Sequence, residues 1–181
     1  MRIIAGKRKG AKLFALSGEH TRPTLDRVKE AVFNIIQNYF PCARVLDLFA
    51  GSGGMGIEAL SRGAEFAAFV DNDRAAAEVI SKNLAHTKFD GDSEVFCGDW
   101  LNFIKSTRHK FDIIFLDPPY NQGYLAKAAE AVKDYEILNS GGIIVTESAV
   151  GNDPCVVPQN TGFEIVRQKR YGKVLITVLT L

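Results

Sequence analysis

The chain has 181 residues, 46% of them hydrophobic and 24% charged, with a net charge of +1. That size and mixture suit one folded domain with a sizeable core and exclude a disordered or low-complexity chain. No window approaches the ~20 consecutive apolar residues of a membrane-spanning helix, and the N-terminus lacks the apolar block of a secretory signal, so a cytoplasmic location with no membrane partner is expected.

In chain order, residues 2–4 and 12–14 are spaced to pair as a small hairpin around Gly6 and Gly10. Residues 1–44 hold nine Lys or Arg against Glu19, Asp26 and Glu30, a balance of +6, whereas the rest of the chain carries −5. Residues 1–22 therefore read as a basic extension and residues 23–181 as the main domain. Arg2, Lys7, Arg8 and Lys9 suit a polyanion, whose phosphates Lys and Arg neutralise, or an ordinary solvated terminus; composition does not separate the two. Thr24 is placed to cap a helix reaching about residue 38, with Val28, Ala31, Val32, Ile35 and Ile36 at helical spacing.

From residue 44 onward, apolar runs alternate with helical stretches, the pattern of βαβ units on a parallel sheet. Strands are expected at 44–49, 66–71, 94–97, 111–116 and 142–147, with helices at 55–62, 74–85, 100–106 and 124–135 between them. The run Phe111-Asp112-Ile113-Ile114-Phe115-Leu116 is apolar enough for burial on both faces, so that strand should be central. Residues 163–168 and 174–180 flank a turn at 169–173 and read as an antiparallel hairpin. The expected architecture is α/β and Rossmann-like, a seven-stranded, mostly parallel sheet ending in that hairpin.

Two motifs carry chemistry. In Asp47-Leu48-Phe49-Ala50-Gly51-Ser52-Gly53-Gly54-Met55-Gly56 a strand turns into a helix, and the glycines let the backbone pass close to a ligand. Dinucleotide enzymes share such a loop, but Asp47 at the strand end is suited to an amino acid's cationic amino group, which nicotinamide cofactors lack. Asp71, with Asn72 beside it, ends the second strand 20 positions after Gly51, near the ~20-residue spacing of a carboxylate that binds ribose hydroxyls. Both requirements are met by S-adenosylmethionine. Asp99 could accept from its adenine amino group or cap the next helix, or both, with Trp100 as an apolar wall; Asp73 could share or take the capping of the helix after Asp71.

The second motif, Asp117-Pro118-Pro119-Tyr120, follows the central strand at the sheet edge where such folds bind ligands. An exocyclic amine on a nucleobase is a poor nucleophile, its lone pair being delocalised into the ring. The Asp117 carboxylate and the Pro118 carbonyl, held by the fixed φ of two prolines, offer two acceptors for its two hydrogens. Accepting both favours tetrahedral nitrogen, and Tyr120 supplies a face for a base taken out of its stack. Cys42, Cys97 and Cys155 lack CxxC spacing and read as small core or surface residues; His20, His86 and His109 form no paired ligand motif, so no metal is expected.

These residues, together with Arg22-Pro23-Thr24 and the helix start Asp26-Arg27-Val28-Lys29-Glu30-Ala31-Val32-Phe33-Asn34, resemble the RsmD family of 16S ribosomal RNA guanine-N2 methyltransferases across nearly the whole chain. The resemblance implies that Asp47, Phe49, Gly51, Gly53, Asp71, Asn72, Asp99 and Trp100 line an S-adenosylmethionine site and that residues 117–120 receive a guanine. It also implies a ribosomal RNA substrate in a partly assembled small subunit, acted on by a monomer. Arg22 and Arg27 become candidates for the cofactor carboxylate or RNA phosphate, or for ion pairs anchoring the helix. Relatives often carry Glu where Asp71 stands, which shortens the reach by one methylene and leaves the carboxylate. The motifs alone leave open an amino methyltransferase for adenine or a glutamine amide, a nicotinamide oxidoreductase, and a non-catalytic RNA-binding module.

Overall fold

The computed structural model describes residues 1–16, 23–118, 123–149 and 162–181. Helix α1 (Pro23–Ile35) precedes β1 (Arg44–Asp47), α2 (Gly54–Ser61), β2 (Phe66–Asp71), α3 (Arg74–Thr87), β3 (Ser93–Cys97) and α4 (Trp100–Ser106). There follow β4 (Phe111–Leu116), α5 (Tyr124–Asp134), β5 (Leu138–Ala149), β6 (Glu164–Tyr171) and β7 (Val174–Thr180). The strands form one seven-stranded sheet in the order β3-β2-β1-β4-β5-β7-β6. Pairing is parallel from β3 through β5 and antiparallel at β5–β7 and β7–β6. This is the expected Rossmann-like sheet with its C-terminal hairpin, and β4 is its middle strand.

Helices cover both faces of the parallel part because its strands are apolar on both. On one face Val45, Phe69, Phe115 and Val145 pack with Val32 and Phe33 of α1, Ile57 and Leu60 of α2 and Ile80 of α3. On the other, Leu46, Val70, Ile114 and Leu116 pack with Phe103 and Ile104 of α4 and Ala128 and Val132 of α5. No helix among the described residues is long and apolar enough to cross a membrane.

Several boundaries differ from expectation for local reasons. The first helix runs from Pro23 and stops at Ile35, giving way to a 3-10 turn at Gln37–Tyr39. β5 begins four residues early because a register shift against β4, between Phe111 and Ile113, absorbs the irregular stretch at Gly141 and Gly142. A Cβ on Gly142 would sit 2.8 Å from the Asn139 carbonyl oxygen and 3.1 Å from that of Asp112. β6 continues through Lys169, Arg170 and Tyr171, which the sequence places in a turn; Tyr171 pairs with Val174 and only Gly172 and Lys173 make the loop. Gly172, at φ +60°, supplies the left-handed conformation that two-residue hairpin loops demand.

The N-terminal residues form a short hairpin with a single Arg2–Lys12 bridge, extended by Ile3 N–H to the Ala11 carbonyl (3.0 Å) and Leu13 N–H to that of Met1 (3.0 Å). It lies against the body: Ile3 and Leu13 belong to the core. The fully buried Glu58 of α2 accepts from the N–H groups of Ile4 (2.8 Å) and Ala5 (3.0 Å) and from Arg62 Nε (2.8 Å). Buried Lys29 of α1 stands 3.4 Å from Glu58 and donates to the Arg2 carbonyl at 2.6 Å. Burial lowers the Lys29 pKa and Glu58 opposes that shift.

Candidate active site at the carboxyl edge of the sheet

The chain leaves β1 toward β2 on one side, while β4 lies on the other, so the sheet has its switch point between β1 and β4. A crevice is expected outside the strand ends there. A cavity of about 360 Å³ occupies it, within the ~300–1,000 Å³ of small-molecule clefts. Its wall takes Phe49 from the end of β1, Val70, Asp71 and Asn72 from β2, and Gly98, Asp99 and Trp100 from β3. Asp117 and Pro118 from β4 and Tyr124 from the start of α5 complete it.

Asp71 ties two of these loops together. Its Oδ2 accepts from Gly51 N–H at 2.8 Å and its Oδ1 from Asp73 N–H at 2.9 Å. Two oxygens offer about four lone-pair sites, so acceptor capacity remains toward the cavity. Asp73 takes the capping role, accepting from Ala75 N–H at 2.9 Å. Asp99 caps α4 through Asn102 N–H (2.9 Å) and also lines the cavity.

The glycines differ from one another in purpose. Gly51 and Gly53 have φ of +54° and +79°, so the turn requires them. Gly56 instead lets α2 close on the sheet: a Cβ there would lie 2.3 Å from Phe69 Cε1. Asp47 sits behind this loop, 5% exposed, its Oδ2 accepting from Gly56 N–H at 2.9 Å. Burial, reinforced by the charges of Asp117 and Asp71, pushes its carboxyl up to about 7 against the Gly56 and Met55 hydrogen bonds. Asp47, Gly51 and Gly53 therefore frame the loop, while the cavity wall itself is built by Phe49, Asp71, Asn72, Asp99, Trp100, Asp117 and Pro118.

Two features escape the sequence reading. Tyr124 joins Phe49 and Trp100 in an aromatic corner, with centroids 6.1 Å (Phe49–Trp100), 6.4 Å (Phe49–Tyr124) and 6.5 Å (Trp100–Tyr124) apart. In the sequence it is only a helix start. Glu147 is the second. Leu116 pairs with Thr146, so Asp117 and Glu147 stand side by side one step further on. Asp47 pairs with Phe115, two residues before Asp117, and strand alternation puts all three carboxyls on one face. Desolvation raises the Asp117 carboxyl to about 6, and desolvation together with the Asp117 and Asp47 charges raises the Glu147 carboxyl to about 8. Like charges this close resist joint ionisation, so both carboxyls are held above the ordinary carboxylate range. A carboxyl at the end of a β-strand carries no sequence signal of a partner on the neighbouring strand.

The structure does not bring the N-terminal cations to the cavity. α2 and α3 start at the carboxyl edge of the sheet and end at the opposite one, and the hairpin tip sits at their far ends. Lys7 N–H donates to the Ser61 carbonyl (2.7 Å) and Arg8 Nε to that of Thr87 (2.8 Å). Lys9 is exposed there as well, Arg2 pairs with Asp26 at 3.1 Å, and Arg27 is exposed on α1. Arg22, Pro119 and Tyr120 lie outside the described residues.

A family model described as "Conserved hypothetical protein 95" matches residues 1–180. Over 174 residues the chain is 37% identical to "Ribosomal RNA small subunit methyltransferase D" of Escherichia coli (strain K12), covering 96% of this chain and 86% of that protein. The chain belongs to the RsmD family. Another relative of this RsmD-family chain, the YlbH protein of Bacillus subtilis (strain 168), is 40% identical over 176 residues, 95% of this chain and 94% of the relative. Among solved structures, the yhhF protein of Escherichia coli superposes with a TM-score of 0.87 at 33% identity, covering 99% of this chain and 96% of that one. The RsmD family thus extends over the N-terminal hairpin as well as the sheet.

Proposed function

We propose that this chain transfers a methyl group from S-adenosylmethionine to the exocyclic N2 amine of a guanine in small-subunit ribosomal RNA, acting as a monomer on a partly assembled particle. The observation that carries the reading is one cavity in which Asp71 and Asp99 stand beside Asp117 and Pro118. The donor set fits the cofactor: a carboxylate with spare lone pairs for ribose hydroxyls, a second acceptor for an adenine amino group, and ring walls from Phe49 and Trp100. Asn72 and the Gly51–Gly53 loop complete that half, and Asp47, behind the loop, is the acid nearest to hand for a cationic amino group. The name of the Escherichia coli relative, a small-subunit ribosomal RNA methyltransferase, supports the substrate class.

When bound, the cofactor supplies a sulfonium methyl as electrophile. The protein's task is to aim the amine and stabilise its developing charge. The Asp117 carboxylate accepts one N–H of the guanine NH2, and the Pro118 carbonyl accepts the other. The nitrogen lone pair is thereby turned toward the methyl carbon, an effect of positioning and fixed dipoles. As the new N–C bond forms and the C–S bond breaks, the excess proton on nitrogen passes to Asp117 or through it to water. In this reading Pro119 stiffens the turn and Tyr120 offers a face for the extruded base.

The test is incubation of the purified protein with methyl-labelled S-adenosylmethionine and small-subunit particles or their free RNA, followed by nucleoside mass spectrometry. N2-methylguanosine is the expected product. N6-methyladenosine, a methylated protein glutamine, or no transfer to RNA would overturn the assignment.

A further inference from the structure

The sequence directs attention to the N-terminal cations, and the fold places their tip at the edge of the sheet opposite the cavity. A second basic cluster sits on the correct edge. Beyond residue 44 the chain is acidic overall, at −5, yet four of its thirteen Lys and Arg fall between positions 167 and 173: Arg167, Lys169, Arg170 and Lys173. Glu164 is the one carboxylate in residues 164–173. All four cations are exposed, and among the described residues none of them pairs with a carboxylate.

Their position follows from the strand directions. β5 ends at the carboxyl edge, and β7 begins there, since Val174 pairs with Ala149. The β6–β7 turn at Gly172 and Lys173 is therefore on the cavity side. Lys169 and Glu147 are both opposite Ile176, so Lys169, Ile176 and Glu147 form one row across β6, β7 and β5, and Asp117 follows directly after the end of β4 beside it. At about 4.8 Å per strand the distance from β6 to β4 is about 14 Å. The Lys169 ammonium lies 5.3 Å from the Tyr171 ring centroid, and Arg170 Nε donates to the Gly172 carbonyl at 2.9 Å, which hold both cations at the turn.

Resting on the reading of the cavity as an RNA methyltransferase site, we propose that the β6–β7 hairpin is the surface that grips the RNA backbone, with Arg167, Lys169, Arg170 and Lys173 against the phosphates flanking the target base. An exposed edge strand rich in cations resists pairing with another strand, and it presents charge complementary to a polyanion beside the point where a base enters. The hairpin tip at Lys7, Arg8 and Lys9 is too far round the molecule to act on the same nucleotides.

The test compares three full-length proteins: wild type, R167Q/K169Q/R170Q/K173Q and K7Q/R8Q/K9Q. RNA binding is measured by fluorescence anisotropy on a small-subunit ribosomal RNA fragment at several salt concentrations, and cofactor binding by calorimetry. Each phosphate contact contributes about 0.7 to 0.9 to the slope of log affinity against log salt, so the hairpin variant should bind at least about tenfold more weakly, with a slope flatter by about 3. Its cofactor affinity and melting temperature should stay at wild-type values, and the K7Q/R8Q/K9Q slope should change by less than one contact. A hairpin variant with wild-type affinity and slope, or a larger loss from K7Q/R8Q/K9Q, would overturn the proposal while leaving the methyltransferase reading intact. Retained RNA affinity with lost binding to particles would make the occupant a protein. A wild-type protein that binds cofactor but no RNA at low salt would overturn both readings.

Discussion

The two hairpins at the ends of this chain are both basic, and the fold turns their tips to opposite edges of the sheet. The N-terminal one is anchored to the core by Glu58, Lys29 and the buried Ile3 and Leu13, and its tip faces away from the cavity. The C-terminal one buries the β7 residues Ile176 and Val178 beneath it and leaves its own β6 cations in water on the cavity side. Charge counts alone do not decide whether either one meets a polyanion. Strand direction puts the β6–β7 turn on the cavity edge, and Glu58 holds the N-terminal hairpin against the body.

The sharpest way to break the comparison is through Glu58. Glu58→Ala strands Lys29, 4% exposed, without its partner and frees two backbone donors. Losing one side of a buried ion pair costs about 3 to 5 kcal/mol, so chemical denaturation should show a loss of that order. A drop below about 1 kcal/mol, the range of surface pairs, would make the N-terminal hairpin a peripheral appendage after all.

At the other edge the largest effect should be on rate. Asp117→Asn removes the ionised acceptor, and kcat should fall by about 10²- to 10³-fold, the loss seen when a fixed transition-state partner is removed, with cofactor affinity little changed. In the wild type, kcat should rise with pH through about 6, because protonated Asp117 no longer accepts. A flat profile from pH 5 to 8 would remove Asp117 from the reacting centre.

Asp71→Ala should weaken S-adenosylmethionine binding by about 1.5 to 3 kcal/mol, the range for hydrogen bonds to charged groups. Part of the effect would come through Gly51, whose N–H it accepts. Unaltered affinity by calorimetry would take Asp71 out of the cofactor site.

The smallest effect concerns Glu147. Its carboxyl is raised to about 8 in the folded protein, so its contribution to stability is fully present below the ordinary carboxyl range and lost as pH climbs through about 8. Glu147→Gln should therefore match the wild type near pH 5 and exceed its stability at pH 9 by at least about 1 kcal/mol, one pKa unit being worth about 1.4 kcal/mol. Equal stability at both pH values would show that water hydrates this carboxyl fully.

By itself the sequence determined what local periodicity and spacing can encode. β2, α4, β4 and β7 begin and end where apolar alternation and turn residues predict. The loop after β1 and the acids at 71, 99 and 117 converge because βαβ units deliver strand ends to one edge. Tertiary structure decided whatever depends on neighbours distant in the chain. Gly56 makes room for Phe69, Tyr124 meets Phe49 and Trp100 across a loop, and Glu147 meets Asp117 only because β5 lies beside β4. Which basic hairpin shares an edge with the cavity follows from strand order and direction, and pairing of strands remote in sequence leaves no mark on local composition.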